Sequence, residues 1–209
     1  MTRAQKTVFL LVAIIAVLIG MIVYRVLQNQ ADESPALFDA GVVLLQTSRP
    51  LPTQSLVDQD GQTVQVDKLY GGWTAMFFGY TFCPDICPVT LAQLREIRSR
   101  LPQAAMQRLR VVFVSVDPGR DTPAKLKQYL AYFDPTFRGL TGTQTAIEAL
   151  ANGVGIAYVA PDTRSPNYFV QHSGNVALLG PDGTLRGFIR APLSKDKLVA
   201  QLPALLMRD

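Results

Sequence analysis

Three side chains can do chemistry that the rest of the sequence cannot: Cys83, Cys87 and His172. The chain has 209 residues, and among them are two cysteines and one histidine. That scarcity excludes, within a single chain, catalytic zinc sites built on two or three histidines and four-cysteine zinc or iron–sulfur centres. What remains is a redox-active or structural thiol pair, or a small site made of soft ligands.

The cysteines lie in Cys83-Pro84-Asp85-Ile86-Cys87-Pro88, a C-x-x-x-C spacing. They fall where an apolar run, WTAMFFGY, gives way to VTLAQLREIRSRL, whose Leu91, Leu94, Ile97 and Leu101 recur at helical spacing. Backbone N–H groups and the helix dipole at such a junction favour thiolates. With the second cysteine in the first helical turn, the two sulfurs can close a disulfide or share a metal. A purely structural disulfide over so short a loop would stabilise the fold by only about 2 kcal/mol. That is a minor contribution in a chain that is 48% hydrophobic.

His172 follows in Tyr-Phe-Val-Gln-His-Ser-Gly-Asn, 85 residues after Cys87. A lone histidine is more often structural or exposed than a ligand, and spacing alone leaves both readings open. It immediately precedes a terminal hairpin, however, and where such a hairpin returns beside the first buried strand, the chain entering it passes beside the first strand–helix junction. Two thiolates and an imidazole converging there would make a soft, under-coordinated set. Such a set suits copper, since Cu(I) accepts low coordination by thiolates, whereas zinc would need a fourth ligand or water. Imidazole matters more to Cu(II), so a site including His172 could hold both oxidation states.

The elements that must position these residues alternate. SLVDQDGQTVQV reads as a hairpin around Asp60-Gly61. WTAMFFGY and RVVFVSV read as buried strands. Thr122-Pro123 opens a helix running to about Phe133, TQTAIEALANG predicts a helix closed by Gly153, and VGIAYVA a strand. NVALLG and TLRGFIR pair across Pro181-Asp182-Gly183, and Ser194 caps a last helix to about Met207. With residues 137–160 set aside as an insertion, the order is βαβα, a β-hairpin and a final helix. That order predicts an α/β, thioredoxin-like fold: a mixed central sheet flanked by helices, with an N-terminal β-hairpin extension.

Ahead of this domain, residues 7–24 hold 18 positions without a charge between Lys6 and Arg25. As a helix they would cover roughly 27 Å, close to the hydrocarbon thickness of a bilayer. No small-x-small cleavage site follows, so a retained single transmembrane helix is expected rather than a signal peptide. Arg3 and Lys6 favour a cytoplasmic N-terminus. The expected organisation is residues 1–6 in the cytoplasm, 7–26 as the anchor, 27–50 as a tether and 51–209 as the functional domain. The net charge of +4 adds little. Arg3, Lys6 and Arg25 supply three of the 20 basic residues, and without them 17 remain against 16 acidic ones. So even a balance argues against nucleic acid as a partner.

The segments GYTFCPDICPVTL at 79–91, VSVDPGRDTP at 114–123 and the distant His172 resemble the Sco/SenC family of copper-binding assembly proteins. The likeness extends over about residues 42–207. It implies a thioredoxin-like fold, a membrane anchor, and copper, as Cu(I) and Cu(II), bound by Cys83, Cys87 and His172. It further implies assembly of the dinuclear copper centre of cytochrome c oxidase, with that enzyme's copper-site subunit as partner and a periplasmic copper donor or thiol reductant upstream. The implied location is a bacterial inner membrane, with the soluble domain in the periplasm. Family members commonly place an aspartate directly before the histidine, where this chain has Gln171. An uncharged neighbour is expected to lower Cu(II) affinity more than Cu(I) affinity.

A second function class stays open: a thiol–disulfide oxidoreductase in which Cys83 and Cys87 reduce the cysteines of the target's copper site. Other features have plainer readings. Residues 95–110 are arginine-rich and read as a solvated helix face, or alternatively as a docking patch. Asp58-Gln59-Asp60-Gly61 reads as a hairpin turn, Trp73, Phe77 and Phe78 as core, and at least one of Asp117 and Asp121 as a helix cap.

Overall fold

The computed structural model describes residues 5, 12–21, 35–69, 71–160 and 168–208. The chain divides into two compact units, residues 1–35 and 36–209. In the first, residues 12–21 are helical, and Val12, Ile14, Ile15, Val17, Leu18, Ile19 and Met21 are exposed. No helix among the described residues is long and apolar enough to cross a membrane. The rest of the expected 7–26 anchor lies outside the described residues.

The second unit is built on the strand that sequence reading placed at its centre. β4 (Trp73–Gly79) is buried at all seven positions. Because successive side chains of a strand point to opposite faces, this requires cover on both sides of the sheet. β4 pairs in parallel with β5 (Leu109–Ser115) and antiparallel with β7 (Val176–Leu179), which forms a hairpin with β8 (Leu185–Ile189). Further out lie β1 (Val42–Arg49), β2 (Ser55–Asp58), β3 (Thr63–Gln65) and β6 (Arg138–Thr141). All eight strands form one mixed sheet in the order β1-β8-β7-β4-β5-β6-β2-β3.

The helices follow from local signals. α1 (Pro35–Asp39) precedes β1. α2 (Ile86–Arg100) buries Cys87, Leu91, Leu94 and Ile97 and packs on α6 (Lys195–Leu206). α3 (Gln103–Arg108) leads into β5. α4 (Pro123–Ala131) starts as expected, with the Thr122 hydroxyl accepting the Lys125 N–H. α5 (Gln144–Val154) has its own cap in Thr143.

Several expectations need correcting. The tether at 27–50 contributes α1 and β1, because Val42, Val43 and Leu44 pair with β8 and Val42 is buried. Residues 137–160 are no appendage, since β6 joins β5 to the β2–β3 hairpin. VGIAYVA forms only an isolated bridge, Tyr158 to His172, rather than a strand. Within α5, Gly153 lies against Pro52, and closure falls to Gly155, whose φ of 69° is left-handed. The arginine-rich stretch is partly structural: Arg98 donates to the Leu109 carbonyl and pairs with Asp134, Arg100 pairs with Glu96 and Asp196, and Arg108 donates to the Leu206 carbonyl.

Gly187 offers a direct test of the sheet. A Cβ there would overlap the Val43 carbonyl oxygen and press on the Leu44 Cα. Intrinsic strand preference favours alanine over glycine, so the two effects have opposite signs. Gly187→Ala is expected to lower stability by about 2 kcal/mol or more through overpacking. An unchanged urea midpoint would show that β1 does not dock on β8 in this register.

Candidate metal centre

The site forms where β4 ends and α2 begins. Gly79 closes β4, and a Cβ at that position would sit 2.6 Å from the Cys87 sulfur and 2.9 Å from the Phe113 ring. A bare backbone at Gly79 is what lets that sulfur bury completely. α2 has no side-chain cap from Asp85 at its N-terminus. Instead the Cys83 sulfur takes the capping position and accepts the Cys87 N–H at 3.5 Å. The two cysteines are free thiols, fixed relative to each other by one turn of chain.

His172 comes from a distant segment. Residues on either side of it pair with 157–159: the Val159 N–H donates to Gln171 O at 2.8 Å, and the Ser173 N–H to Ala157 O at 2.9 Å. The imidazole lies edge-on to Phe77 and Tyr80, with ring centroids at 6.0 and 5.8 Å. Its Nδ1 is 3.1 Å from the Ser173 carbonyl, which can only accept, so Nδ1 carries the proton. Nε2 is then the free lone pair, and it faces the Cys87 sulfur at 3.2 Å. Orientation of the ring therefore rests on Ser173, while the Gln171 side chain is exposed.

The two sulfurs and the imidazole nitrogen lie within 4.8 Å of one another. All three residues picked out by sequence come together, and they are the chain's entire stock of cysteine and histidine. The hydrogen bond from the Cys87 side chain, together with the N–H groups of Asp85 and Cys87, pulls the Cys83 thiol well below its ordinary pKa despite burial. The same bond and burial push Cys87 upward. The pair is thus polarised, with the charged form favoured on Cys83 and the protonated form on Cys87. Two sulfurs and one nitrogen at this spacing fit a soft ion of low coordination number, which is the chemistry of Cu(I).

Sequence reasoning missed the support beneath the cysteine turn. Asp117 and Asp121 are fully buried, and neither caps α4. Asp121 accepts the Thr81 N–H at 3.0 Å, the Thr81 hydroxyl at 2.6 Å and the Ser115 hydroxyl at 2.7 Å. Burial raises its pKa against those bonds. Topology held the missing signal. The C-terminal ends of adjacent parallel strands lie side by side, so the turn after β5 had to meet the turn after β4. Trp73, Phe77 and Phe78 are core, as expected, with Phe77 also bracing the imidazole. Asp58-Gln59-Asp60-Gly61 is a hairpin turn, with the Asp58 carboxylate accepting the Asp60 and Gln62 N–H groups.

Two thiols and an imidazole at the end of the central strand of a thioredoxin-like sheet define a class: thiol proteins that hold a soft metal. Residues 46–207 match the SCO1/SenC family, and the chain belongs to it. It is 44% identical over 175 residues to a Stutzerimonas stutzeri protein whose name describes copper binding, covering 84% of this chain and 86% of that one. Among solved structures, Thermus thermophilus apo Sco1 superposes with a TM-score of 0.70 at 33% identity, covering 79% of this chain and 96% of that one. Arabidopsis thaliana ScoI with copper bound gives 0.67 at 30% identity, covering 75% and 98%.

The pair's ionisation has a checkable consequence. A thiol whose folded pKa is depressed contributes stability that is fully present above the unfolded value of about 8.5 and is lost as pH falls through the folded value. Reduced protein should therefore show one thiolate by ultraviolet absorbance at neutral pH, and should lose stability on acidification. Cys83→Ser should abolish both effects. Two thiols titrating together in the ordinary range would contradict the arrangement.

Proposed function

We propose that this chain is a copper-handling assembly protein. Reduced Cys83 and Cys87, with His172, take up copper and pass it by ligand exchange to the dinuclear copper site of cytochrome c oxidase. The observation that carries this reading is the convergence of the chain's only two cysteines and its only histidine within 4.8 Å. Copper is cargo here, and what the chain does is bind and release it. The Cys83–Cys87 turn provides a two-thiolate seat that suits Cu(I). The imidazole, with its Nδ1 proton held by Ser173, offers Nε2 as the harder donor that Cu(II) requires. Loading removes a proton from Cys87, so uptake should weaken as pH falls.

The test is titration of the full-length reduced chain in detergent with Cu(I) and Cu(II), repeated on His172→Ala. Unaltered protein should bind one equivalent of either ion. The variant should lose about 10-fold or more in Cu(II) affinity, as expected for loss of a ligand, while keeping Cu(I) through the thiolates. Binding of neither ion by the unaltered chain would end the reading.

One observation favours a second activity. Cys83, which carries the thiolate, is the less buried sulfur, whereas Cys87 is wholly enclosed. That is the arrangement of an attacking and a resolving thiol. The Cys83 thiolate would attack a disulfide of the target copper site to form a mixed disulfide. Cys87 would then displace it, leaving Cys83–Cys87 oxidised and the target reduced. Reduction of the target would prepare it for copper, so the two activities belong in one sequence of events.

We also propose that residues 7–26 anchor the chain in a bacterial inner membrane, with the copper site on the periplasmic side. Support comes from the uncharged run between Lys6 and Arg25 and from the exposed apolar helix over 12–21. Protease added to intact spheroplasts should digest the 36–209 unit. Protection of that unit would place it in the cytoplasm and overturn the topology.

A further inference from the structure

The cysteines hold each other within one turn of helix, but His172 reaches them from a separate strand of chain. Its distance from the two sulfurs must therefore be fixed by something that touches both segments. Arg120, in the turn between β5 and α4, does so. On the cysteine side its guanidinium carbon lies 4.9 Å from the Phe82 ring centroid and 5.7 Å from that of Tyr80, residues that flank the approach to Cys83. On the histidine side it lies 3.6 Å above the Tyr168 ring, and its Nη2 donates to the Tyr168 carbonyl at 3.1 Å. Its Nε donates to buried Asp117, which in turn accepts the Tyr168 hydroxyl at 2.6 Å.

A guanidinium can stack on ring faces while its edge donates hydrogen bonds in plane, which an ammonium cannot do. The side chain is 19% exposed, so these contacts are shielded from water and little screened. The same turn supplies Asp121 to Thr81. One tight turn thus grips the cysteine segment at 80–82 and the histidine segment at 168.

We propose that Arg120 is a positioning residue that holds the His172 segment against the cysteine turn, and so sets how tightly the site holds Cu(II) relative to Cu(I). The proposal rests on the copper reading above. It follows from the division of labour among the ligands. The thiolates stay together without Arg120, because the Cys83–Cys87 turn is self-contained, whereas the imidazole does not stay with them.

The test uses the full-length chain in detergent and Arg120→Lys, which keeps a cation beside Asp117 but removes the stacking and the bond to the Tyr168 carbonyl. Cu(II) affinity should fall about 10-fold, the lower end of what loss of a ligand-supporting contact costs. Cu(I) affinity should stay within about twofold, since two thiolates suffice for it. Lys127→Gln, at an exposed cation paired with Asp60, should change neither.

Amide exchange in the reduced, metal-free chain supplies a readout independent of copper. Val159 and Ser173, whose N–H groups pin the His172 segment, should exchange faster in Arg120→Lys. Thr81, pinned by Asp121, should not. Equal loss of both copper affinities, an unchanged Cu(II) affinity, or equal acceleration at Thr81 would each overturn the proposal. If the unaltered chain binds neither ion, the copper reading fails. The exchange pattern then still decides whether Arg120 holds the histidine segment.

Discussion

The Cys87 sulfur rests against the backbone of Gly79, at the point where the most buried strand of the sheet stops and its helix starts. Everything else in the site answers to that contact. A sulfur placed there is shut off from water, so its charged form is costly and its proton is hard to remove. The Cys83 sulfur, one turn away at the N-terminus of α2, is buried too, but it accepts the Cys87 N–H, and hydrogen bonds to it favour its charged form. Two identical side chains four residues apart are made different by where the strand ends. Phe77, Phe113 and Tyr80 fill the space around Cys87 and the imidazole, leaving little room for either to turn.

A site of this kind must be firm enough to gather its ligands and loose enough to give up what it holds. The structure separates those demands. Firmness comes from below, where Ser115, Asp121 and Thr81 form a buried polar knot joining the ends of the two parallel strands. Such a network is stable because each of its groups has a partner. Looseness is available from above. Among the described residues, the histidine segment is attached through an isolated β-bridge made of two backbone hydrogen bonds and through the contacts of Tyr168 with Arg120 and Asp117, rather than by a full strand. The sheet therefore holds the thiols rigidly and the imidazole through a smaller set of contacts.

Most of the sheet and the identity of the site were legible in the sequence, for identifiable reasons. The apolar run at 73–80 and the β-branched run Val111–Val114 read as buried strands, and Thr122-Pro123 reads as the start of a helix. Scarcity of cysteine and histidine left little choice of ligands. What escaped were features that depend on long-range pairing. Arg138–Thr141 is too short and too polar at its start to announce itself as a strand, and it becomes one because β5 and β2 offer it edges on both sides. The 157–159 segment looks like a strand by composition but makes only a bridge, because its partner chain turns away after His172 toward the hairpin. At least one of Asp117 and Asp121 looked like a cap because capping is the local use of aspartate before a helix, but their partners include Thr81 and Tyr168, 40 and 51 residues away.

The burial of the two sulfurs differs in a way that imposes a sequence in time. Cys83 retains a little exposure, while Cys87 has none. A group arriving from outside can meet the half-buried His172 or the slightly exposed Cys83 before it meets the enclosed Cys87. An ion leaving this site would exchange its outermost bond before its innermost one, and the last bond broken would be to the sulfur that most readily takes back a proton.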